Sequence, residues 1–382
     1  MTQSQSQSPP PPEADFHLQR SSRDATDVPE SIARWLATVL PEGAKPVVTL
    51  GGDLDANGMS SETLLVDVTW TEGGNQQDGR FVARVAPAAE DLPVFPSYRL
   101  EDQFEAIRLV GELTDVAVPQ VRWMEPTGLV LGTPFFLMDR VDGLVPPDVL
   151  PYNFGDNWLF DATPDQQRRL QDATVGVLAQ LHAIPEGAQS FAFLDPDVAG
   201  TTPLERHLTR TRDWYEYAVA AIGRSPLIDR GLRWLEANVP VAEENVLCWG
   251  DSRIGNVMYD DFTPVGVLDW EMASLGPREL DVAWMVFAHR VFEHLTTMFE
   301  MPGMPDFLRE ADIRATYAEL AGVEVGELGW FQVYAAVQWG IVFMRTGARQ
   351  LHFGEIEMPA EVDALFHHRG LLEKLLDENG AA

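Results

Sequence analysis

Basic residues are scarce in this chain. Lys and Arg total 27 against 59 Asp and Glu, a formal charge of −32 over 382 residues. Non-specific nucleic-acid binding needs a basic surface to neutralise phosphates, so no nucleic-acid partner is expected. The acidity is compatible with a cationic small molecule and equally with a plain solvated surface. Cysteine occurs once, at Cys248. A single thiol makes no internal disulfide and fits a reducing compartment, so a cytoplasmic location is expected. Set in an apolar run, it reads as a buried thiol. No second His or Cys stands at a zinc spacing from His182, so that histidine reads as a satisfied core or surface residue and no structural zinc is expected. The most membrane-like run, Phe331–Met344, is short and carries Gln332 and Gln338, which favours a buried helix and no membrane partner. The N-terminus, M-T-Q-S-Q-S-Q-S-P-P-P-P, lacks the basic-then-apolar order of a signal peptide. Residues 1–27 read as a disordered Gln/Ser/Pro tail.

With 45% apolar residues, the chain suits one large domain or two lobes with ample core. Residues 28–141 form the first unit. Pro29–Leu40 carries Ile32, Trp35, Leu36 and Val39 at helical spacing. Strand signals follow at Val47–Leu50, Glu62–Trp70 and Phe81–Ala86, with a polar turn over Glu72–Gly79, and together they predict an antiparallel sheet. Ser97–Leu113 reads as an amphipathic helix with Ser97 as its cap. Further strands are expected at Gln120–Met124, Leu129–Leu131 and Phe135–Val141. Residues 142–382 read as mostly helical. Thr163-Pro164-Asp165-Gln166 carries the capping box of a helix start. Helices are expected at Leu204–Ala221, Leu227–Asn238, Arg278–Phe292, Asp306–Ala321, Leu328–Gln350 and Ala360–Asp377. Pro146–Asp161, between the units, reads either as a lid or as a packed loop.

The stretch that carries chemistry is Cys248–Ala273, C-W-G-D-S-R-I-G-N-V-M-Y-D-D-F-T-P-V-G-V-L-D-W-E-M-A. Asp251, Asn256 and Asp269 stand at strand ends or in the loop beside them, where turns aim side chains at one point. Two carboxylates and an amide oxygen suit Mg²⁺ carrying phosphates. One carboxylate can stay unliganded and accept a proton. Upstream, the turn G-G-D-L-D-A-N-G-M-S-S-E-T offers Gly58, Ser60 and Ser61 as small donors for a phosphate; an ordinary hairpin is the alternative. Its D-L-D-A-N-G matches the start of a calcium loop, but Leu64 stands where a bidentate Glu is needed. The string G-x-x-x-x-G-K-[ST] is absent. In F-V-A-R-V-A-P, Arg84 projects from an otherwise apolar strand and needs an anionic partner.

The spacing D-x-x-x-x-N followed by a second Asp resembles the catalytic and metal-binding parts of kinases. G-D-S-R-I-G-N and D-W-E resemble the aminoglycoside phosphotransferase-like family of small-molecule kinases, although Trp249 replaces that family's usual histidine. The D-W-E-M-A-S-L-G-P turn is similar to the branch related to kinase-like domains fused to acyl-CoA dehydrogenases. The resemblance implies an α+β, bilobal, protein-kinase-like fold with ATP between the lobes. It implies Asp251 as the acceptor's base, Asn256 and Asp269 on Mg²⁺, and Arg253 at the γ-phosphate unless merely exposed on its loop. It further implies Arg84 on the α/β-phosphates, with a surface arginine on a half-exposed sheet as the alternative, backbone groups near Asp139–Val141 on adenine, and Asp281 bracing the catalytic loop, with a simple charge at a helix N-terminus as the alternative. Glu271 reads either toward a metal or cationic substrate or as structural. The helix residue matching the usual partner of the strand cation is Gln103, flanked by Glu101 and Glu105. The expected activity is Mg-ATP-dependent transfer to a hydroxyl of a small molecule, aminoglycoside-like or hydroxyacyl-CoA-like. A nucleotide-binding module without catalysis is the alternative. H-R-D, D-F-G and A-P-E are missing, which speaks against a protein kinase. Oligomeric state and acceptor identity leave no mark in the sequence.

Overall fold

The computed structural model describes residues 23, 25–51, 61–148, 150–195, 198–242 and 244–380. Helix α1 (Val28–Val39) has Pro in its first turn and buries Ile32 and Leu36. It covers one face of a five-stranded antiparallel sheet ordered β1-β2-β3-β5-β4. The strands are β1 (Val47–Leu50), β2 (Glu62–Glu72), β3 (Asn75–Val85), β4 (Val121–Glu125) and β5 (Phe135–Asp139). Strand alternation sends Val66, Val68, Phe81, Ala83, Val85, Phe135 and Leu137 into one apolar cluster with α1. Arg84 therefore projects from the opposite face. On that face Phe104 of α2 (Leu100–Leu113) meets Phe136 edge-on at 5.8 Å.

The β2–β3 turn is only Gly73-Gly74, both with positive φ. The polar residues expected in a longer turn are strand, with Gln77 paired to Trp70 and Gln76 to Thr71. Backbone pairing on a solvated face tolerates their polarity. Leu129–Leu131 is a turn, not the expected strand. Gly128 and Gly132 have φ of +70° and +82°, and the Thr127 hydroxyl accepts from the Leu129 amide at 3.2 Å. Helix α2 begins three residues after Ser97. Phe95 stacks on Trp214 at 4.8 Å and meets Tyr98 edge-on, so the chain is anchored by aromatic packing before the helix starts.

The remaining chain is mostly helical: α3 (Pro164–His182), α4 (Gly187–Ser190), α5 (Pro203–Ile222), α6 (Pro226–Ala237), α7 (Glu279–Phe299), α8 (Glu310–Ala321), α9 (Gly329–His352) and α10 (Arg369–Glu378). The Thr163–Gln166 capping box is formed in both directions. Helix α8 starts later than Asp306 because Leu308 takes φ +47° and gives its amide to Gln171. Ala360–Asp377 is broken into a 3-10 turn and α10. Asp363 is drawn to Ser225 and the Leu227 amide, and His368 donates to the Ala336 carbonyl at 2.9 Å.

Between α6 and α7 lie two small antiparallel pairs. Strand β6 (Val246–Cys248) pairs with β9 (Ser274–Gly276), and β7 (Val257–Asp260) pairs with β8 (Thr263–Val267). The β7–β8 turn is Asp261-Phe262, both with positive φ, the sense of twist that suits a tight hairpin. The segment Pro146–Asp161 is a packed loop. Tyr152, Asn153 and Leu159 are buried, and the Tyr152 hydroxyl bonds the His289 ring at 2.7 Å.

Candidate active site

Asp251 lies in the loop leaving β6, and the backbone there is built around Gly250. Its φ is +94°, and a Cβ would meet the Met272 carbonyl at 2.2 Å. Only glycine fits such an approach in a left-handed conformation. Asp281, in the first turn of α7, is fully buried and accepts the amides of Trp249 (2.7 Å) and Gly250 (2.8 Å). It also accepts from His182 Nε2 at 3.1 Å, while His182 Nδ1 meets the Tyr317 hydroxyl at 2.7 Å. The Ser252 hydroxyl donates to the Asp281 carbonyl at 2.7 Å. One aspartate thus ties the loop to α3 and α7. Cys248 is buried just before it, and burial pushes its thiol pKa well up.

Trp249, at the position of the family's usual histidine, is fully buried. Its ring N–H donates to the Leu268 carbonyl at 2.9 Å, joining the Asp251 loop to the residue before Asp269. A second link runs from the Leu268 amide to the Asn256 carbonyl at 2.8 Å.

The Asp251 carboxylate receives donors from three directions. Trp284 Nε1 reaches Oδ1 at 2.7 Å, Asn256 Nδ2 reaches Oδ2 at 2.7 Å, and Arg253 Nε lies 3.1 and 3.2 Å from the two oxygens. Arg253 is not an exposed loop residue. It also forms an ion pair with Asp148 of the inter-lobe loop. Burial works against its charge, but Asp148 and Asp251 outweigh it and raise its pKa.

Asp269 has φ +59°, uncommon for a residue with a side chain. Its carboxylate is bonded to Arg84 of β3, which also reaches Glu271 at 3.1 Å. Arg84 is therefore held by Asp269 and Glu271 and by none of Gln103, Glu101 or Glu105. Glu105 is instead paired with Arg108 at 2.6 Å, and Gln103 lines the cavity described below. Burial pushes the Asp269 carboxyl up, Arg84 opposes this, and the nearby Asp251 charge adds to it. Asn256 gives its amide hydrogens to the Asp251 carbonyl (3.0 Å) and carboxylate, which leaves its own oxygen as an acceptor. A hard cation fits this donor set of one amide oxygen and one carboxylate.

Gly58 and Ser60 lie outside the described residues. Ser61 is buried, and among the described residues its hydroxyl has no hydrogen-bond partner. The Asp139 amide is given to the Gln120 carbonyl at 2.8 Å, and its carboxylate accepts from Arg122 at 2.6 and 2.7 Å. The Val141 side chain packs over Gly266 of β8. Asp148 and the Trp284 ring nitrogen were not singled out by pattern. Trp284 reads as one apolar position of the α7 stripe, and only the need of a buried indole N–H for a partner hints at more.

A cavity of ≈ 370 Å³ adjoins this cluster, bounded by Gly250, Glu271, Met272 and Trp284 on one side and by residues of α5 and α9 on the other.

A sheet of this order above a helical region, with paired carboxylates on the connecting loops, defines a kinase-like phosphotransferase class. The chain belongs to the phosphotransferase enzyme family (APH), whose model matches residues 58–321. It is similar to the probable acyl-CoA dehydrogenase IBR3 of Arabidopsis thaliana, 27% identical over 65% of this chain and 30% of that protein. It is also similar to acyl-CoA dehydrogenase family member 10 of Mus musculus, 26% identical over 56% of this chain and 18% of that protein. The chain thus spans less than a third of either relative. Among solved structures, a putative aminoglycoside phosphotransferase from Ralstonia eutropha matches with a TM-score of 0.62 at 18% identity, covering 91% of this chain and 96% of that one. A Plasmodium vivax ethanolamine kinase matches with a TM-score of 0.54 at 10% identity, covering 84% of each chain. These likenesses establish the kinase-like fold. Among the described residues no helix is long and apolar enough to cross a membrane.

Proposed function

We propose that the protein transfers the γ-phosphate of Mg-ATP to a hydroxyl group of a small molecule. In this reading the nucleotide lies between a sheet lobe, residues 28–141, and a helical lobe, residues 142–382. The observation that carries it is the arrangement around Asp251. Its carboxylate is oriented by Trp284, Asn256 and Arg253, and its charge is felt at the Asp269 carboxyl. Asp251 takes the proton from the acceptor hydroxyl as the oxygen attacks. Asn256 and Asp269 hold Mg²⁺, which when bound neutralises charge on the β- and γ-phosphates. Arg84 leaves Asp269 to meet the phosphates, and Glu271 retains it on one side. Arg253 offers its charge to the transferred group while Asp148 holds its far end. Ser61, with Gly58 and Ser60, covers the phosphates, and backbone groups near Asp139 and Val141 meet the adenine.

Single-turnover transfer from labelled ATP tests this. Asp251→Asn is expected to abolish transfer and leave nucleotide binding intact, because binding rests on other groups. Equal loss of both would make Asp251 structural. One observation favours the alternative of a nucleotide-binding module without catalysis: Arg84 is tied to both Asp269 and Glu271. Nucleotide binding without transfer to any acceptor would support that alternative.

A further inference from the structure

The cavity beside Asp251 is lined by a cation, Arg210, whose nearest acidic influence among the described residues is the charge of Asp195, itself paired with Arg206. His207, Arg210, Thr211 and Trp214 share one face of α5 and line it. Among the described residues no carboxylate forms an ion pair with Arg210. Its Nη2 lies 3.0 Å from His207 Nδ1 and 3.2 Å from Nε2. The His207 Nε2–H is given to the Leu275 carbonyl at 3.0 Å, so only Nδ1 has a lone pair to offer. Burial, with Arg210 adding, holds this ring well below the usual histidine range, so it is neutral. Arg210 is thus a permanent cation with five donors, bonded to one neutral ring.

The other lining charges are answered or open to solvent. Arg99 pairs with Asp102 at 2.6 Å, Glu271 pairs with Arg84, and Asp213 is exposed. Next to Arg210 the Tyr334 hydroxyl meets Thr211 Oγ1 at 2.9 Å and accepts from Gln338 at 3.2 Å. Phe95, Trp214, Met272, Trp284 and Phe331 supply the apolar part of the lining, beside the neutral polar groups of Ser97, Gln103 and Ser274. Trp284 spans the two ends, since its ring faces this cavity and its N–H holds Asp251.

A partly desolvated guanidinium without a counter-ion is costly, and an incoming anion removes the cost. We propose that Arg210 recognises a carboxylate on the phosphate acceptor, which makes the acceptor a small hydroxy acid with an apolar middle and not a polycation. This rests on the phosphotransferase reading. The carboxylate docks at α5, the apolar chain lies along the aromatic lining, and the hydroxyl reaches toward Asp251. A volume of ≈ 370 Å³ is at the small end of ligand sites.

The test is calorimetry on the full chain, with and without Mg-ADP, using hydroxyhexanoate, hydroxyhexanamide and aminohexanol as probes. The three differ in the charge of one end. The acid is expected to bind roughly 10- to 100-fold tighter than the other two, the scale of a charge-assisted hydrogen bond. Arg210→Gln should erase that preference, and Arg210→Lys should keep part of it. Equal binding of the three by wild type, tighter binding of the amine, or a preference that survives Arg210→Gln would overturn the proposal. Failure of the acid to bind at all would overturn it too. Acid preference in a protein that binds no Mg-ADP would leave the anion site standing and remove only the kinase reading.

Discussion

Asp281→Asn tests the architecture of the catalytic loop. In the native protein Oδ2 of Asp281 accepts from the Trp249 amide and His182, and Oδ1 accepts from the Gly250 amide. Asparagine has one oxygen. Its better orientation puts that oxygen in the Oδ2 position and turns its NH₂ group against the Gly250 N–H. A buried amide left without an acceptor costs about 1–3 kcal/mol. The two bonds that survive lose their charge assistance and are weakened by up to about half. The sum is a loss of about 2–4 kcal/mol, a large share of the ~5–15 kcal/mol that holds a typical protein folded. Urea unfolding followed by tryptophan fluorescence should show a lower midpoint with little change in slope. Phosphoryl transfer should fall as well, since the Gly250 amide immediately precedes Asp251. An unfolding free energy within about 0.5 kcal/mol of wild type, with unaltered transfer, would refute the bracing role.

Other outcomes follow from the same geometry. Gly250→Ala should cost at least about 1–2 kcal/mol from its left-handed backbone, with more from the overlap at the Met272 carbonyl, read as a lower thermal midpoint and lost transfer. Asp251→Asn should lower kcat by roughly 10²- to 10⁴-fold, the usual worth of a general base, with nucleotide affinity retained in calorimetry. Burial, with the Asp251 charge adding, raises the Asp269 carboxyl from its ordinary value, so under the proposed function protons should compete with the metal there. Mg-nucleotide affinity should therefore weaken on acidification at a higher pH than an ordinary aspartate would give, and titrations across pH would reveal it. His289 and His368 are buried with pKa values lowered from 6.5 to about 4. Between those values the unfolded chain binds more protons, so stability should fall as pH drops from 6.5 toward 4. A urea midpoint that does not move over that range would contradict this.

Much of the site was legible because its information is local. The spacing of Asp251, Asn256 and Asp269 lies within 19 residues, and the capping box at Thr163 is complete within four. Strand alternation placed Arg84 opposite Phe81, Ala83 and Val85 with no tertiary knowledge. What the pattern did not show is non-local. The three-residue strand β9 owes its existence to β6, and it lacks the length to announce itself. Arg84 finds Asp269 and Glu271, more than 180 residues away in sequence, and not the adjacent helix. The family's strand-to-helix ion pair was therefore a misleading guide where Gln103 replaces the acid. Asp148 meets Arg253 only because the inter-lobe loop folds back over the catalytic loop. Leu129–Leu131 looked like a strand from its apolar residues, but two left-handed glycines close it into a turn.

In the proposed function this site binds a nucleotide through a metal held by Asp269. The most direct measurement is calorimetric titration of ATP into wild type and Asp269→Ala, each with and without Mg²⁺. Binding that needs Mg²⁺ and that the substitution removes is expected. A well-folded wild type that binds no ATP, or binds it equally well without metal and without the Asp269 carboxylate, would contradict it.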